Sequence, residues 1–148
     1  MRQSVASVAL IRRTRLGRTE WLAQWNAKWQ RYHFVAGHKL PDESFRECVV
    51  REMHEELGLR EGEDFEVGAE PVAEARFNAY SRSAHAETAY TMALFDVTLT
   101  SDAARRRVLA DDRNRWLTAS EIRTGLCGDG RDVSENMALL LGEAGIAP

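Results

Sequence analysis

The sequence predicts a mixed α/β fold in which helices pack on a central sheet. Period-two apolar patterning fills the first third of the chain and returns between residues 72 and 99. Between those stretches, from Ser44 to Leu57, the period changes to that of a helix, and helical segments recur toward the C-terminus. Strands, one helix, strands and helices in that order bury their apolar faces by laying helices on a sheet.

Val5 to Ile11 is apolar on both alternating faces, as in an interior strand. Thr14 to Arg18 contains Gly17 and predicts a turn, after which Trp21, Ala23 and Trp25 alternate as a strand paired back on the first. Tyr32 and Phe34 carry the alternation to Gly37. Phe45, Cys48, Val49 and Met53 then form one helical stripe with Leu57 beside it. Ser44 and Glu47 have capping-box spacing, and Gly58-Leu59 has the form of a left-handed stop with an apolar contact, so a helix of about 14 residues is expected. Val72 to Tyr80 and Glu87 to Leu99 predict two strands joined by the loop Ser81 to Ala86. A helical piece follows Ser101, Arg115 to Leu117 leads into a short helix capped near Ser120, and a last helix spans Asp132 to Glu143 with Asp132 and Glu135 at capping-box spacing.

At 148 residues the chain is long enough to bury a core without staples. With 44% hydrophobic and 29% charged residues it reads as a soluble globular protein, and no apolar run approaches the roughly 20 residues of a spanning helix. The N-terminus has only a short apolar stretch followed by arginines, so it reads as a first strand rather than a secretory signal, and a cytoplasmic location is expected. A net charge of −3, from 20 basic and 23 acidic residues, gives no broad field for nucleic acid or a membrane surface. The only lysines are Lys28 and Lys39, a skew toward arginine that points to a GC-rich bacterial genome. Cys48 and Cys127 lack metal-like spacing and read as two reduced thiols.

The segment GHKLPDESFRECVVREMHEELGL, Gly37 to Leu59, carries the chemistry. Gly37 is followed after five residues by Glu43, and after seven more by Arg51-Glu52; Met53, His54, Glu55-Glu56, Leu57, Gly58 and Leu59 complete it. Positions three and four apart are neighbours on a helix, so Glu52, Glu55 and Glu56 share a face. Carboxylates that close repel one another unless positive charge stands between them, and the last turns of a helix disfavour negative charge further. A solvated acidic face explains neither that placement nor the glycine loop before it. Hard oxygen donors of this kind select Mg²⁺ or Mn²⁺.

With every fixed position filled, the segment resembles the signature loop-helix-loop of the Nudix family. The resemblance implies a single domain over residues 1–148, a Nudix-type α/β/α sandwich with a mixed central sheet and the carboxylate helix packed on it. It implies hydrolysis of a diphosphate linkage, by water attack on phosphorus, in a nucleoside diphosphate joined to another moiety: a nucleotide sugar, a dinucleoside polyphosphate or a (modified) nucleoside triphosphate. It implies that Glu52 and Glu56 are the principal metal ligands, with Glu55 a further ligand or water-holder and the carbonyl of Gly37, or of Ala36, completing the set. Arg51 and Glu43 then orient the carboxylates and the loop. A homodimer is a further expectation, since relatives often pair.

Outside the signature the resemblance thins. Relatives place a further base near a Trp-containing segment, here DDRNRWLTASEI, but the residue before Trp116 is Arg115 where some carry glutamate. Asp111, Asp112 and Glu87 are the candidate substitutes, though Asp111 and Asp112 read first as a surface acidic turn, and Glu87 is also a candidate substrate contact. Trp21 and Trp25 read as core, and Trp29, in the polar stretch NAKWQR, as exposed and a candidate substrate contact. Arg76, Tyr80 and Arg82 are candidates for phosphate or ribose. Arg105 to Arg107 reads as a solvated helix face, His38 as a neighbour of the metal site, and His54 as facing away. Isopentenyl-diphosphate isomerases share the resemblance and a GH pair, but they carry a cysteine shortly before it where this chain has Phe34-Val35-Ala36. A silent nucleotide-binding or sensor domain is the other alternative. Such domains lose signature carboxylates, all present here, and no DNA-binding module is visible in the sequence.

Overall fold

A computed structural model describes residues 1–81 and 83–148. The chain runs β1 (Arg2–Arg15), β2 (Arg18–Asn26), β3 (Arg31–His33), β4 (Val35–His38), α1 (Phe45–Leu57), β5 (Phe65–Val67), β6 (Ala73–Ser81), β7 (Ala86–Leu99), α2 (Asp102–Ala110), β8 (Asn114–Thr118), α3 (Ala119–Thr124) and α4 (Glu135–Glu143).

β1 organises the sheet. Along one side it pairs in parallel with β7, from Arg2 opposite Thr88 to Ile11 opposite Val97. Along the other, Ala6 to Ala9 pair antiparallel with β4 and Arg12 to Arg15 with β2. β3 and β8 join β2, and β5 and β6 join β7, all antiparallel, which makes the sheet mixed as expected. The β1–β2 turn is two residues, Leu16 and Gly17, both at positive φ, the geometry that matches the twist of the flanking strands.

Alternation along β1 divides the core between two helical layers. Val8 and Leu10 join Trp21, Leu117, Ile122, Met137 and Leu140 on the α3–α4 side. Ala9 and Ile11 join Leu22, Val49, Met53, Phe95 and Val108 on the α1–α2 side. All four β1 residues are fully buried, which is why this strand is apolar on both faces.

α1 begins at the expected cap. The Ser44 hydroxyl accepts from the Glu47 amide at 3.0 Å while the Glu47 carboxylate accepts from the Ser44 amide at 2.9 Å. Gly58 ends the helix in the left-handed region, its amide bonded back to His54 and Met53 carbonyls. Ser7 of β1 ties the helix down by donating from Oγ to the Phe45 carbonyl at 2.7 Å.

Two local expectations are corrected and one strand is added. The short helix is capped by Thr118, with Glu121 completing a capping box, rather than near Ser120. α4 is capped by Ser134, because the backbone from Arg131 to Val133 bonds to Tyr32, Cys127 and Gly125 and so stays extended. β5 was not visible in the pattern: three residues are too few for an alternation to register.

Candidate functional site

The last two turns of α1 face β4, and Gly37 sits on β4 opposite Ser7. The Glu52 carboxyl lies so close to Gly37 that a Cβ there would overlap it. Glu52 is buried, and its carboxyl is raised above the usual range, first by that burial and then by Glu55 and Glu56 nearby, with Arg51 opposing.

Arg51 is the hub of this corner. Its Nε and Nη2 donate to the two Glu43 oxygens at 3.0 and 2.7 Å, a bidentate pair. Its Nη1 donates to Glu52 at 3.0 Å and to Glu55 at 3.2 Å, and Nη2 also reaches the His38 carbonyl at 2.9 Å. Glu43 in turn accepts from the Leu40 amide at 2.9 Å, which folds the loop after β4 onto the helix. The Arg51 guanidinium holds the Glu43 carboxyl down at about 2.

Among the described residues no three carboxylate, imidazole or thiol groups converge at metal-ligand spacing. Glu52 and Glu55 share Arg51 as their positive partner. The donor set nonetheless suits a hard divalent cation: hard oxygens on one helix face, and at Gly37 a missing Cβ that admits the Glu52 carboxyl. The Gly37 carbonyl lies 3.5 Å from the Cys48 thiol, a weak donor that leaves most of its acceptor capacity open.

Glu56, on the same helix face, borders a cavity of about 540 Å³ that Gly37 and His38 also border. Its walls are largely apolar and aromatic, with Trp25, Trp29, Phe34, Tyr90 and Met92, while Asn136 and Arg113 supply polar groups. Trp29 is half-buried in this wall rather than out in solvent, because the Asn26 side chain accepts its backbone amide at 3.0 Å and folds the β2–β3 turn back. Its indole N–H is buried without an acceptor.

His33 packs edge-on against Trp29 with ring centroids 6.3 Å apart. Burial pushes its ring below the usual histidine range, toward the neutral form. Its Nδ1 lies 3.1 Å from the Phe34 carbonyl, which can only accept, so Nδ1 carries the proton and Nε2 is an acceptor on the cavity wall.

The other candidates scatter. His38 is exposed at the cavity edge, with Nδ1 3.3 Å from the Ser4 hydroxyl, and His54 faces solvent as expected. Arg76 pairs with Glu74 at 3.3 Å on β6, Tyr80 is largely exposed, and Glu87 is exposed on β7 across from Tyr80; none of the three borders the cavity. Arg82 lies outside the described residues. Asp111 is clamped by Arg113, which holds its carboxyl below the usual range, and Asp112 is exposed and borders a different cavity. Both cysteines are free and buried. Sequence reasoning missed His33, Tyr90, Met92, Arg113 and Asn136: they come from β3, β7, the approach to β8 and α4, and no spacing in the chain announces that they meet.

A family model described as the NUDIX domain matches residues 1–137. The chain belongs to the Nudix family. Solved structures carry the same fold at low sequence identity. A Caenorhabditis elegans Ap4A hydrolase is 15% identical, with 97% of this chain and 96% of that chain covered and a TM-score of 0.63. The Mycobacterium smegmatis Nudix hydrolase RenU is 17% identical over 97% and 88%, with a TM-score of 0.57. NrtR of Shewanella oneidensis is 12% identical, covering 96% of this Nudix chain but 61% of its own, with a TM-score of 0.65. No curated protein matches the chain.

Proposed function

We propose that this Nudix chain is a metal-dependent hydrolase that cleaves a diphosphate linkage in a nucleoside diphosphate derivative by water attack on phosphorus. The observation that carries the reading is that Glu56 and Gly37, from the helix and loop of the signature, border the aromatic cavity. One ligand can therefore place a nucleoside against Trp29 and His33 and its diphosphate at the carboxylate helix. A volume of about 540 Å³ suits a nucleoside-sized group.

Glu52 and Glu56 would hold Mg²⁺ or Mn²⁺, with Glu55 and the Gly37 carbonyl completing the set. Glu55 has a side chain 53% exposed and on the surface of the helix, so it can leave Arg51 at little cost. When bound, the cation offsets charge on the diphosphate and makes a coordinated water a better nucleophile. Arg51, anchored by Glu43 and the His38 carbonyl, keeps Glu52 from swinging out of the corner. With Asp111 spent on Arg113 and Glu87 standing apart, the proton of the attacking water falls to the helix carboxylates.

The Ap4A hydrolase of similar fold makes dinucleoside polyphosphates natural first substrates to try, beside nucleotide sugars and nucleoside triphosphates. The test is hydrolysis of each of these with Mg²⁺ and with Mn²⁺, read by chromatographic separation of the nucleotide products. Hydrolysis that disappears on chelation and in Glu56→Gln supports the proposal; nucleotide binding without hydrolysis of any of them assigns the chain to the silent binding domains instead.

A further inference from the structure

A second cavity of about 540 Å³ is bordered by Trp25, Arg113, Arg115, Arg131, Tyr32 and Asp129. Trp25 and Arg113 border both cavities, so the two are neighbours. Arg113 also feels the charge of Glu56.

The hydrogen-bonding capacity left over in this cavity lies with the donors. The Arg131 guanidinium stacks over Trp25, 4.5 Å from its ring centre, and has no carboxylate partner among the described residues. Arg115 has one contact, 3.8 Å from Asp129, beyond hydrogen-bond length. The acceptors are better served. Asp129 takes the Tyr32 hydroxyl at 2.6 Å and the Arg131 amide at 2.9 Å, and Asp111 takes Arg113. Asp112, exposed on the border, is the remaining carboxylate. Unspent guanidinium donors beside an aromatic ring suit a phosphate group, which accepts from each arginine through separate oxygens. Tyr32 holds Asp129 and Trp25 braces Arg131, so two of the walls are fixed before any ligand arrives.

We propose that this cavity is a phosphate subsite, built by Arg115 and Arg131 beside Trp25, that holds the further phosphates of a polyphosphate substrate whose scissile linkage lies by Glu56. The subsite's part in turnover rests on the diphosphohydrolase reading above; its affinity for phosphate does not. Arg115, where some relatives carry an acid, then serves binding.

Inorganic tripolyphosphate, titrated calorimetrically into the full chain with a chelator present, tests this without any contribution from a metal. The wild type is expected to bind, Arg115→Ala to bind more weakly, and Arg115→Ala/Arg131→Ala to lose at least roughly tenfold in affinity, as expected for two charge-assisted contacts. Arg115 is exposed, so its single variant should melt like the wild type and remains informative if the double variant does not fold. Binding in Glu56→Gln is expected to persist. The subsite is overturned if the wild type does not bind, if Arg115→Ala and the folded double variant bind as tightly as wild type, or if Glu56→Gln abolishes binding, which would put the ligand at the helix instead. If no substrate is hydrolysed yet the arginine variants lose tripolyphosphate, the hydrolase reading falls and the phosphate site stands.

Discussion

The Glu52 carboxyl occupies the space in which a side chain on Gly37 would have to begin. The first and the sixteenth residues of the signature are thus two halves of one contact, made where β4 passes over α1. Gly37→Ala is expected to push Glu52 away from the strand or the strand away from the sheet. A displacement of about 1 Å at such a site costs on the order of 100-fold in turnover. Turnover and melting temperature measured together check this, and an alanine variant with wild-type turnover would show that the contact has no catalytic weight.

Glu56 is the signature carboxylate that faces the cavity. Glu56→Gln keeps the shape and removes the charge, so it is expected to lower turnover by at least ~10²-fold, beyond the range typical of partners outside the first coordination layer, with little change in stability. Steady-state rates across a Mg²⁺ series, beside a thermal melt, are the measurement.

Arg51 and Glu43 form the clamp that holds the corner together. The Glu43 carboxyl lies at about 2, below its ordinary 4.5, so its stabilising contribution is complete above the ordinary value and is lost as pH falls from there toward 2. The gap in melting temperature between wild type and Glu43→Gln should therefore be flat from neutral pH to about 5 and shrink below it. Arg51→Lys cannot reproduce the bidentate pair and is expected to cost roughly 10–100-fold in turnover while leaving Glu52 present.

His33 and Trp29 make the wall against which a nucleoside would lie. Trp29→Ala is expected to raise KM about tenfold or more, the order of one lost base–aromatic stack, with a smaller effect on kcat. Because the His33 ring is lowered from 6.5, the unfolded chain takes up a proton there before the folded chain does. Its neutral burial therefore costs stability as pH falls below about 6.5 and costs nothing above. His33→Asn should melt progressively closer to, or above, wild type as pH drops through that range, and scanning calorimetry between pH 5 and 8 would show it.

By itself the sequence determined the local and the linear. Ser44, Glu47 and Gly58 place the ends of α1 within the chain, because capping is satisfied by residues three or four apart. Spacing alone put Arg51, Glu52, Glu55 and Glu56 on the end of that helix, and apolar runs on both faces marked β1 as interior. Tertiary structure decided what depends on separate segments meeting. Asp132 lost the cap of α4 to Ser134 once Tyr32 claimed its carbonyl, a bond between residues a hundred apart. Glu56 borders a cavity, and Glu52 and Glu55 pair with Arg51, because the fold brings β4 and the β2–β3 turn to the end of the helix. Trp29 became a wall because Asn26 folded its turn inward. The two cavities that share Trp25 are lined from β1, β2, β3, β4, β7, β8, the end of α1, the loop before α4 and its start, whose nearness is set by the fold and which no periodicity along the chain records.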